Sequence, residues 1–427
     1  MRCLATQQSG TQKSRRHAEA CATAARRYDR LDMLTRREGI QAAALTALSY
    51  SRILGANERI QFGLIGCGDR GLYVAGIFQK TAEVDLRAVC DVFGDRTAKA
   101  VAQAPGAQTF ADHRKLLEMS GLEAVLIATP DHWHKAIAID ALNAGKDVYV
   151  EKPLTRLREE GPEIVRAARV NNRVCQVGMQ QRSGEIYLEA RERFVRSGML
   201  GKISHVDCVW HGGANRALPT EPAQKPANLD WVRFLGPVKY RDWNPAQYLD
   251  FRAFLEFGGG KLTDFGAHWI DVAHMFMDQD GPTSAVAAGG VYYDFHDGRN
   301  APDTINALYE YPGGFTVSFV SLAVDNGPEY HVEFLGSFGR LFINRNRYEF
   351  RAAEKNSEPV IRRIPGDITA QHAGNFLDCC RSRKLPNADV YIGHRAAQAA
   401  LLANQSYLEK RRIRFDPQRE EVLPFSA

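Results

Sequence analysis

The feature that most constrains this chain is the stretch from Ile60 to Asp91, IQFGLIGCGDRGLYVAGIFQKTAEVDLRAVCD. A short apolar run leads into three glycines in the spacing G-x-G-x-x-G, which are Gly66, Gly68 and Gly71. A helical pattern follows, and a second apolar run ends on Asp91. A strand, a glycine turn, a helix and a second strand in this order predict a βαβ unit of the kind that binds dinucleotides.

Each part of such a unit has a physical reason. Gly66 permits the tight turn off the strand, Gly68 lets backbone approach a pyrophosphate, and Gly71 lets the helix pack close to the strand. The start of the helix then offers unpaired N–H groups to the phosphates. Asp91 lies where a carboxylate can accept hydrogen bonds from ribose hydroxyls and would repel a 2′-phosphate. We therefore predict NAD as the cofactor in preference to NADP.

Length and charge limit the remaining possibilities. The 427 residues exceed what one hydrophobic core usually organises, and 44% apolar residues can build two cores. Residues 1–57 hold ten Lys or Arg against four Asp or Glu, which accounts for the net charge of +5 and leaves the rest close to neutral. Nothing therefore suggests nucleic-acid binding. The eight cysteines contain no C-x-x-C pair, and so predict neither a disulfide framework nor a zinc site.

The N-terminal residues have the composition of a leader. Residues 1–32 are rich in Ala and Arg without apolar periodicity, which predicts disorder or a true start at Met33. The order Thr35, Arg36, Arg37 and a mildly apolar run up to Leu48 resembles a twin-arginine export signal, and predicts a periplasmic or secreted protein. The alternative is a basic helix on a cytoplasmic protein. No segment approaches 18 uninterrupted apolar residues, so no membrane span is predicted.

Two strand ends in the first half carry polar motifs. An apolar strand predicted at Glu123–Ala128 ends in TPDHWH at 129–134, and a strand at Asp147–Val150 ends in EKP at 151–153. Ligands bind outside the carboxyl ends of parallel strands, so both motifs should flank the cofactor. An ammonium group at Lys152 can lie near a substrate hydroxyl, although lysines are also common in surface turns.

From Lys202 onward the pattern changes to alternating polarity. Strands are predicted at Ile203–Trp210, Ala285–Tyr293, Thr304–Tyr311, Thr316–Ser321, Tyr330–Leu335 and Arg340–Asn344. Such alternation is typical of an antiparallel sheet with helices on one face. The free face would present Val286, Val291, Tyr293, Phe315, Val317 and Phe319. A large apolar face predicts a homo-oligomer. Residues 212–250 predict a long ordered loop over the site.

Asp264 and His268 form a candidate acid/base pair. Three glycines precede a helix predicted to begin near Thr263 or Asp264. Residues four apart share one helix face, so the two side chains can interact directly. An aspartate bonded to a histidine fixes its tautomer and stabilises the imidazolium. The alternative is that Asp264 caps the helix and His268 is a core histidine.

His132 and His134 flank Trp133 and could suggest a metal site. Residues two apart face opposite ways on a strand and diverge on a helix, and no third ligand is evident, so no metal is predicted. We interpret the segment as a loop packed against the nicotinamide end of NAD, with one histidine reaching the substrate. Tyr187 and Arg252 are candidate substrate contacts on position alone.

Together these motifs resemble the Gfo/Idh/MocA family, which includes glucose–fructose oxidoreductase and inositol dehydrogenase. The resemblance is carried by the glycines at 66–71, TPDHWH at 129–134, EKP at 151–153 and GGGKLTDFGAHWID at 258–271. It implies an α/β protein with a doubly wound Rossmann domain, here at 58–181, and a second α/β domain with a large, mostly antiparallel sheet, here at 182–427. It also matches Lys152, Asp264 and His268 to the family's catalytic lysine, aspartate and histidine.

The resemblance implies NAD(P)-dependent chemistry on sugars, cyclitols and their relatives. We predict hydride transfer between nicotinamide and a carbinol carbon, with His268 or Lys152 as base and the Lys152 cation stabilising the alkoxide. Predicted cofactor contacts are Gly66, Gly68, Asp69, Arg70, Gly71, Asp91, Thr129, Pro130, His132, His134, Glu151 and Lys152. Predicted substrate contacts are Lys152, Tyr187, Arg252 and His268.

Two alternatives remain at this point. Relatives with a similar HWH segment include glycosidases that recycle NAD through oxidation, elimination, hydration and reduction, and export would favour such an enzyme. A non-catalytic cofactor-binding relative is the other alternative, against which the intact Lys152, Asp264 and His268 argue.

Overall fold

The computed structural model describes residues 59–424, apart from residue 82 and residues 213–217, 220–223, 294–295, 324–328 and 365–366. The leader predicted at residues 1–57, with its twin-arginine signal, lies outside the described residues. Within the described residues, no helix combines the length and the apolar composition that crossing a membrane requires.

The first half is built on six parallel strands. These are β1 (Ile60–Ile65), β2 (Val84–Cys90), β3 (Gln108–Phe110), β4 (Ala124–Ile127), β5 (Asp147–Val150) and β6 (Cys175–Val177). The helices between them are α1 (Asp69–Lys80), α2 (Gly94–Gln103), α3 (His113–Leu117), α4 (Asp131–Asn143) and α5 (Gly161–Val170). The strand order β3-β2-β1-β4-β5-β6 confirms the predicted Rossmann sheet. Its order reverses between β1 and β4, so their carboxyl ends flank a crevice that suits a dinucleotide.

Helix α4 begins earlier than the sequence predicted. The segment 129–134 was expected to be a loop, but the helix starts at Asp131, directly after Pro130. A carboxylate in the first turn is favourable there because it faces the positive end of the helix dipole. The two histidines therefore occupy the first turn of a helix.

The second half contains a sheet of ten strands. These are β7 (Ile203–Val209), β8 (Ser284–Gly290), β9 (Thr304–Tyr311), β10 (Phe315–Ser321), β11 (His331–Gly336), β12 (Gly339–Ile343), β13 (Arg347–Ala352), β14 (Val360–Arg363), β15 (Ile413–Asp416) and β16 (Glu421–Val422). Their order is β14-β13-β12-β11-β7-β10-β9-β8-β15-β16. Among the described strands of this second sheet, only β7 and β10 pair in parallel, which confirms a mostly antiparallel sheet.

The second half also contains helices among its described residues. They are α6 (Glu185–Ala190), α7 (Trp231–Leu235), α8 (Pro245–Leu249), α9 (Ala267–Met277), α10 (Ile368–Ser382) and α11 (Val390–Glu409). Two π-helical segments, Arg191–Arg196 and Leu262–Gly266, adjoin α6 and α9, and 3₁₀ turns lie at Arg158–Glu160, Gln180–Ser183 and Phe251–Ala253. The region 212–250, expected to be a loop, therefore contains α7 and α8 in its described part.

The prediction of which face of β10 is buried was wrong. Phe315, Val317 and Phe319 were expected on the free face, but they are 5%, 0% and 0% exposed and belong to the core under α9. The alternation along the strand was correct, and only its direction was reversed. Val286 and Tyr293 are exposed as predicted. The open face is consequently less apolar than expected.

The last two long helices cover the first sheet as well as the second. Phe376 of α10 packs against Phe62 of β1 and Phe78 of α1, with ring centroids 6.4 and 5.8 Å apart. Helix α11 contributes Ala396 to the core of the first half and Leu402 to the core of the second. The C-terminal residues therefore join the two halves.

Candidate functional site

The glycine turn between β1 and α1 is shaped for close backbone approach. Gly66 has φ +94°, and a Cβ there would lie 2.6 Å from the Ala128 carbonyl. A Cβ at Gly71 would lie 2.0 Å from the carbonyl oxygen of Gly66. At Gly68 the nearest atom to such a Cβ is 3.6 Å away, on Arg96, and no side chain caps the start of α1. This turn thus leaves room and free N–H donors for a pyrophosphate.

Asp91 stands at the edge of the same cleft. Its Oδ2 accepts the Cys67 N–H at 2.8 Å, and its Oδ1 accepts the Phe93 N–H at 2.9 Å. Burial raises the pKa of Asp91, and the Arg96 guanidinium and these backbone hydrogen bonds oppose the rise. A carboxylate has about four lone-pair sites, so each oxygen can still accept a ribose hydroxyl. These residues fit a dinucleotide.

A second cavity, of about 410 Å³, adjoins this cleft. The predicted site residues among its lining are Gly68, Asp69, Arg70, Thr129, Pro130, Glu151, Lys152, Arg252, Asp264 and His268. Arg70 from the start of α1 donates to Glu151 at 2.8 Å, which ties the glycine turn to the EKP segment. The structure therefore brings the cofactor motifs and the three expected catalytic residues to one place.

Lys152 and Asp264 form an ion pair in this cavity. The ammonium of Lys152 donates to Oδ1 of Asp264 at 2.5 Å and to its backbone carbonyl at 2.6 Å. Arg252 donates to the same Oδ1 at 3.1 Å. Burial would raise the pKa of Asp264, but the charges of Lys152 and Arg252 outweigh it and hold the pKa well below its usual range. Asp264 is therefore a fixed anion that positions two cations.

The prediction of a direct interaction between Asp264 and His268 was wrong. Asp264 bonds Lys152 and Arg252, whereas His268 contacts Gln181 and Arg345. The reason lies in the backbone, because Asp264 belongs to the π-helical segment before α9. A π-turn is wider than an α-turn, so residues four apart no longer lie directly above each other.

The contacts of His268 define its tautomer. Its Nδ1 lies 3.1 Å from the Gln181 carbonyl oxygen Oε1, which can only accept, so Nδ1 carries the proton. Arg345 donates to the remaining lone pair on Nε2 at 3.4 Å. Burial, followed by the positive charges of Lys152, Arg345 and Arg70, lowers the pKa of His268 well below its usual value. The cavity thus contains a neutral imidazole with Nε2 as the acceptor.

Three predicted contacts lie behind the cavity instead of on its surface. His132 donates to the Phe234 carbonyl at 2.8 Å, and burial lowers its pKa to about 4. The ring nitrogens of His134 lie 2.7 Å from the Pro153 carbonyl and 2.9 Å from the Thr129 carbonyl. Tyr187 is fully buried in the core of the second half. Both histidines therefore hold the EKP turn and α7 in place, because the first turn of α4 directs them inward.

Other residues that line the cavity or contact its residues were not predicted from the sequence. Gln181 follows β6, and the carboxyl-end argument applied to β4 and β5 would have found it. Asp131 lies within the TPDHWH motif but was overlooked beside the histidines, and burial raises its pKa to about 7. Arg345 comes from a hairpin turn in the distant second sheet, and no local pattern marks it. Within the described chain, no cluster of three or more His, Cys, Asp or Glu could hold a metal ion.

Comparison with known proteins agrees with this geometry. Residues 60–179 match the model of an oxidoreductase family with an NAD-binding Rossmann fold, and residues 192–425 match its C-terminal α/β domain. The chain belongs to the Gfo/Idh/MocA family of oxidoreductases.

Relatives within the Gfo/Idh/MocA family have two kinds of activity in their names. A scyllo-inositol 2-dehydrogenase (NAD(+)) of Bacillus subtilis is 25% identical over 341 residues, covering 77% of this chain and 88% of the relative. A glycosyl hydrolase family 109 protein of a Shewanella species is 30% identical over 399 residues, covering 82% of both chains.

Solved structures share the fold. Levoglucosan dehydrogenase in complex with NADH and levoglucosan matches with a TM-score of 0.69 at 17% identity, covering 84% of this chain and 99% of that one. An oxidoreductase domain protein from Kribbella flavida matches with a TM-score of 0.69 at 20% identity, covering 86% and 100%.

Proposed function

We propose that this protein is an NAD-dependent dehydrogenase that oxidises a hydroxyl-bearing carbon of a sugar, cyclitol or glycoside. The observation that carries the proposal is the Lys152–Asp264 ion pair beside a neutral His268, all lining the cavity that continues from the glycine turn. NAD, when bound in the cleft, supplies the two-electron acceptor. Gly66, Gly68 and Asp91 would hold it.

The division of labour follows from the contacts. Nε2 of His268 carries the lone pair of the neutral ring at the cavity wall, where Arg345 contacts it, and it takes the proton of a substrate hydroxyl that replaces this contact. The Lys152 ammonium stabilises the negative charge that develops on the oxygen. Asp264 accepts hydrogen bonds from this ammonium and holds it in place. His268 is thus the base and Lys152 the electrostatic catalyst.

Site-directed variants assayed with a panel of sugars, cyclitols and glycosides test this proposal through NADH production. Lys152→Ala and His268→Ala should each lower kcat by roughly 10²–10⁴-fold, the usual contribution of a positioned acid/base group, while NAD affinity changes little. Lys135→Ala is the control, since this lysine pairs with Glu163 on the surface away from the cavity. Substantial turnover in both cavity variants, or none in the unmodified protein, would reject the proposal.

A glycosidase that recycles NAD is the second candidate function. The family 109 relative, 30% identical over 399 residues, favours it. Asp131 also lines the cavity with a pKa raised by burial to about 7, so its carboxyl can donate a proton to a leaving group near neutral pH. Release of 4-nitrophenol from nitrophenyl glycosides without net NADH production would identify this activity, and NADH accumulation without nitrophenol would exclude it.

A further inference from the structure

Arg345 is held in a fixed position at the cavity. It lies in the turn between β12 and β13, where the Asn344 side chain accepts the N–H groups of Asn346 and Arg347 at 2.9 and 3.0 Å. Asn344 is fully buried, so this turn has little freedom to move. The guanidinium extends from it to the wall of the cavity that also contains His268.

The contacts of this guanidinium are few. It lies over the Trp210 ring, 5.0 Å from the centroid, and one N–H reaches Nε2 of His268 at 3.4 Å. Its Nε is buried and has no hydrogen-bond partner among the described residues. Because arginine has five N–H donors, most of this group's capacity is unused. Burial removes hydration from this guanidinium and thereby lowers the pKa of Arg345.

Unlike Arg345, the neighbouring cations each have a carboxylate partner. Lys152 and Arg252 share the carboxylate of Asp264, and Arg70 pairs with Glu151. In the described part of the chain, no Asp or Glu lies within ion-pair distance of Arg345. A charge taken out of water without an opposite charge is unfavourable, and buried charges in proteins are usually paired.

The position of Arg345 indicates that its anionic partner would come from the substrate and not from the cofactor. Arg345 contacts His268, the proposed base, and does not line the cleft around Asp91. We propose that Arg345 binds a carboxylate of the substrate, so that the substrates are sugar acids or glycosides of uronic acids. A planar guanidinium offers two parallel N–H groups that match a carboxylate. This inference rests on the proposed function, because it concerns the same cavity.

The same contact links recognition to the base. Without substrate, Arg345 donates to the lone pair of His268 Nε2, the atom that must accept the hydroxyl proton. A carboxylate that takes the Arg345 donors leaves this lone pair free. A substrate with the negative group therefore releases the base on binding, and a neutral sugar does not.

Calorimetric binding to the NADH-saturated protein tests the inference without turnover. The probes are D-glucuronate, D-galacturonate and D-mannuronate, each paired with its neutral parent sugar, and glucose 6-phosphate. We expect at least one uronate to bind at least tenfold more tightly than its parent. Arg345→Gln should remove this difference in affinity without weakening the binding of the neutral sugar. Arg345→Lys should keep part of the difference. Arg347→Gln is the matched control, because this arginine follows in the same turn but pairs with Glu329.

Several outcomes would overturn the inference. One is that the unmodified protein shows no preference for any uronate over its neutral parent. Another is that Arg345→Gln weakens the binding of uronate and of neutral sugar equally. The third is that glucose 6-phosphate binds more tightly than every uronate. The proposed function fails separately. A protein that prefers uronates but produces no NADH refutes only the oxidation, and a dehydrogenase that ignores the carboxylate refutes only the role of Arg345.

Discussion

Asp91 illustrates how a single carboxylate serves both the local fold and the cofactor cleft. Its two oxygens fix the backbone at Cys67, within the glycine turn, and at Phe93, before α2. The carboxylate is therefore positioned before any ligand arrives. Burial and neighbouring charges set the pKa values of Asp131 and His268. At this scale, the chemistry of the site depends on how each charge is compensated.

The charge of Asp91 should select NAD. Asp91→Asn keeps the size of the side chain but removes the repulsion of a 2′-phosphate. Because a hydrogen bond to a charged group contributes about 1.5–3 kcal/mol, NAD should bind roughly tenfold or more weakly, and its advantage over NADP should narrow. Fluorescence titration with NADH and NADPH measures both affinities. An unchanged ratio would remove Asp91 from the cofactor site.

Asp131 predicts a pH-dependent effect on stability. Burial raises its pKa from 3.8 to about 7, so the folded state binds a proton that the unfolded state has lost between these values. The stability contributed by this proton is present at low pH and is lost as the pH rises towards 7. Asp131→Asn removes the ionisation, so it should raise Tm relative to the unmodified protein more at pH 8 than at pH 5, as judged by calorimetry. An equal difference at both pH values would contradict the raised pKa.

At the scale of helices and strands, some features could be predicted from the sequence and others could not. The strand Thr304–Tyr311 and the strand Asp147–Val150 have the predicted bounds, because their apolar patterns are local and uninterrupted. The π-helical segment Leu262–Gly266 could not be predicted from spacing, and it redirected Asp264 from His268 to Lys152. Arg345 reaches the site only through strand pairing far along the chain. Sequence therefore located the motifs, while long-range packing decided their partners.

Helix α11 offers a test of close packing between elements. A Cβ at Gly393 would lie 2.3 Å from Cγ2 of Val177 in β6. Gly393→Ala should therefore destabilise the protein by roughly 1–3 kcal/mol, although alanine favours helices. Gly374→Ala in α10 is the control, since nothing lies within 4 Å of its Cβ position, and it should stabilise by up to about 1 kcal/mol. Urea unfolding measures both, and a stabilising Gly393→Ala would refute the close approach.

At the scale of the whole molecule, the open face of the ten-stranded sheet still predicts self-association. Val286 and Leu308 are paired across β8 and β9 and are 37% and 39% exposed. Pairing two such faces about a twofold axis would bury both copies. Light scattering at micromolar concentration should give a particle mass that is a multiple of the chain mass, and Leu308→Asp should reduce this measured mass. Leu385→Asp, at a residue 68% exposed outside the sheet, should leave it unchanged. A monomeric unmodified protein would contradict the prediction.

The packing of α10 and α11 on the first sheet has a consequence for synthesis. A ribosome releases β1 to β6 first, whereas Phe376 and Ala396, which complete the cores on that sheet, are made well after β6. Until then, Phe62 and Phe78 lack one of their packing partners. The nucleotide-binding half therefore reaches its full stability only after α10 and α11 have been synthesised, and a nascent chain halted after β6 would expose apolar surface to chaperones.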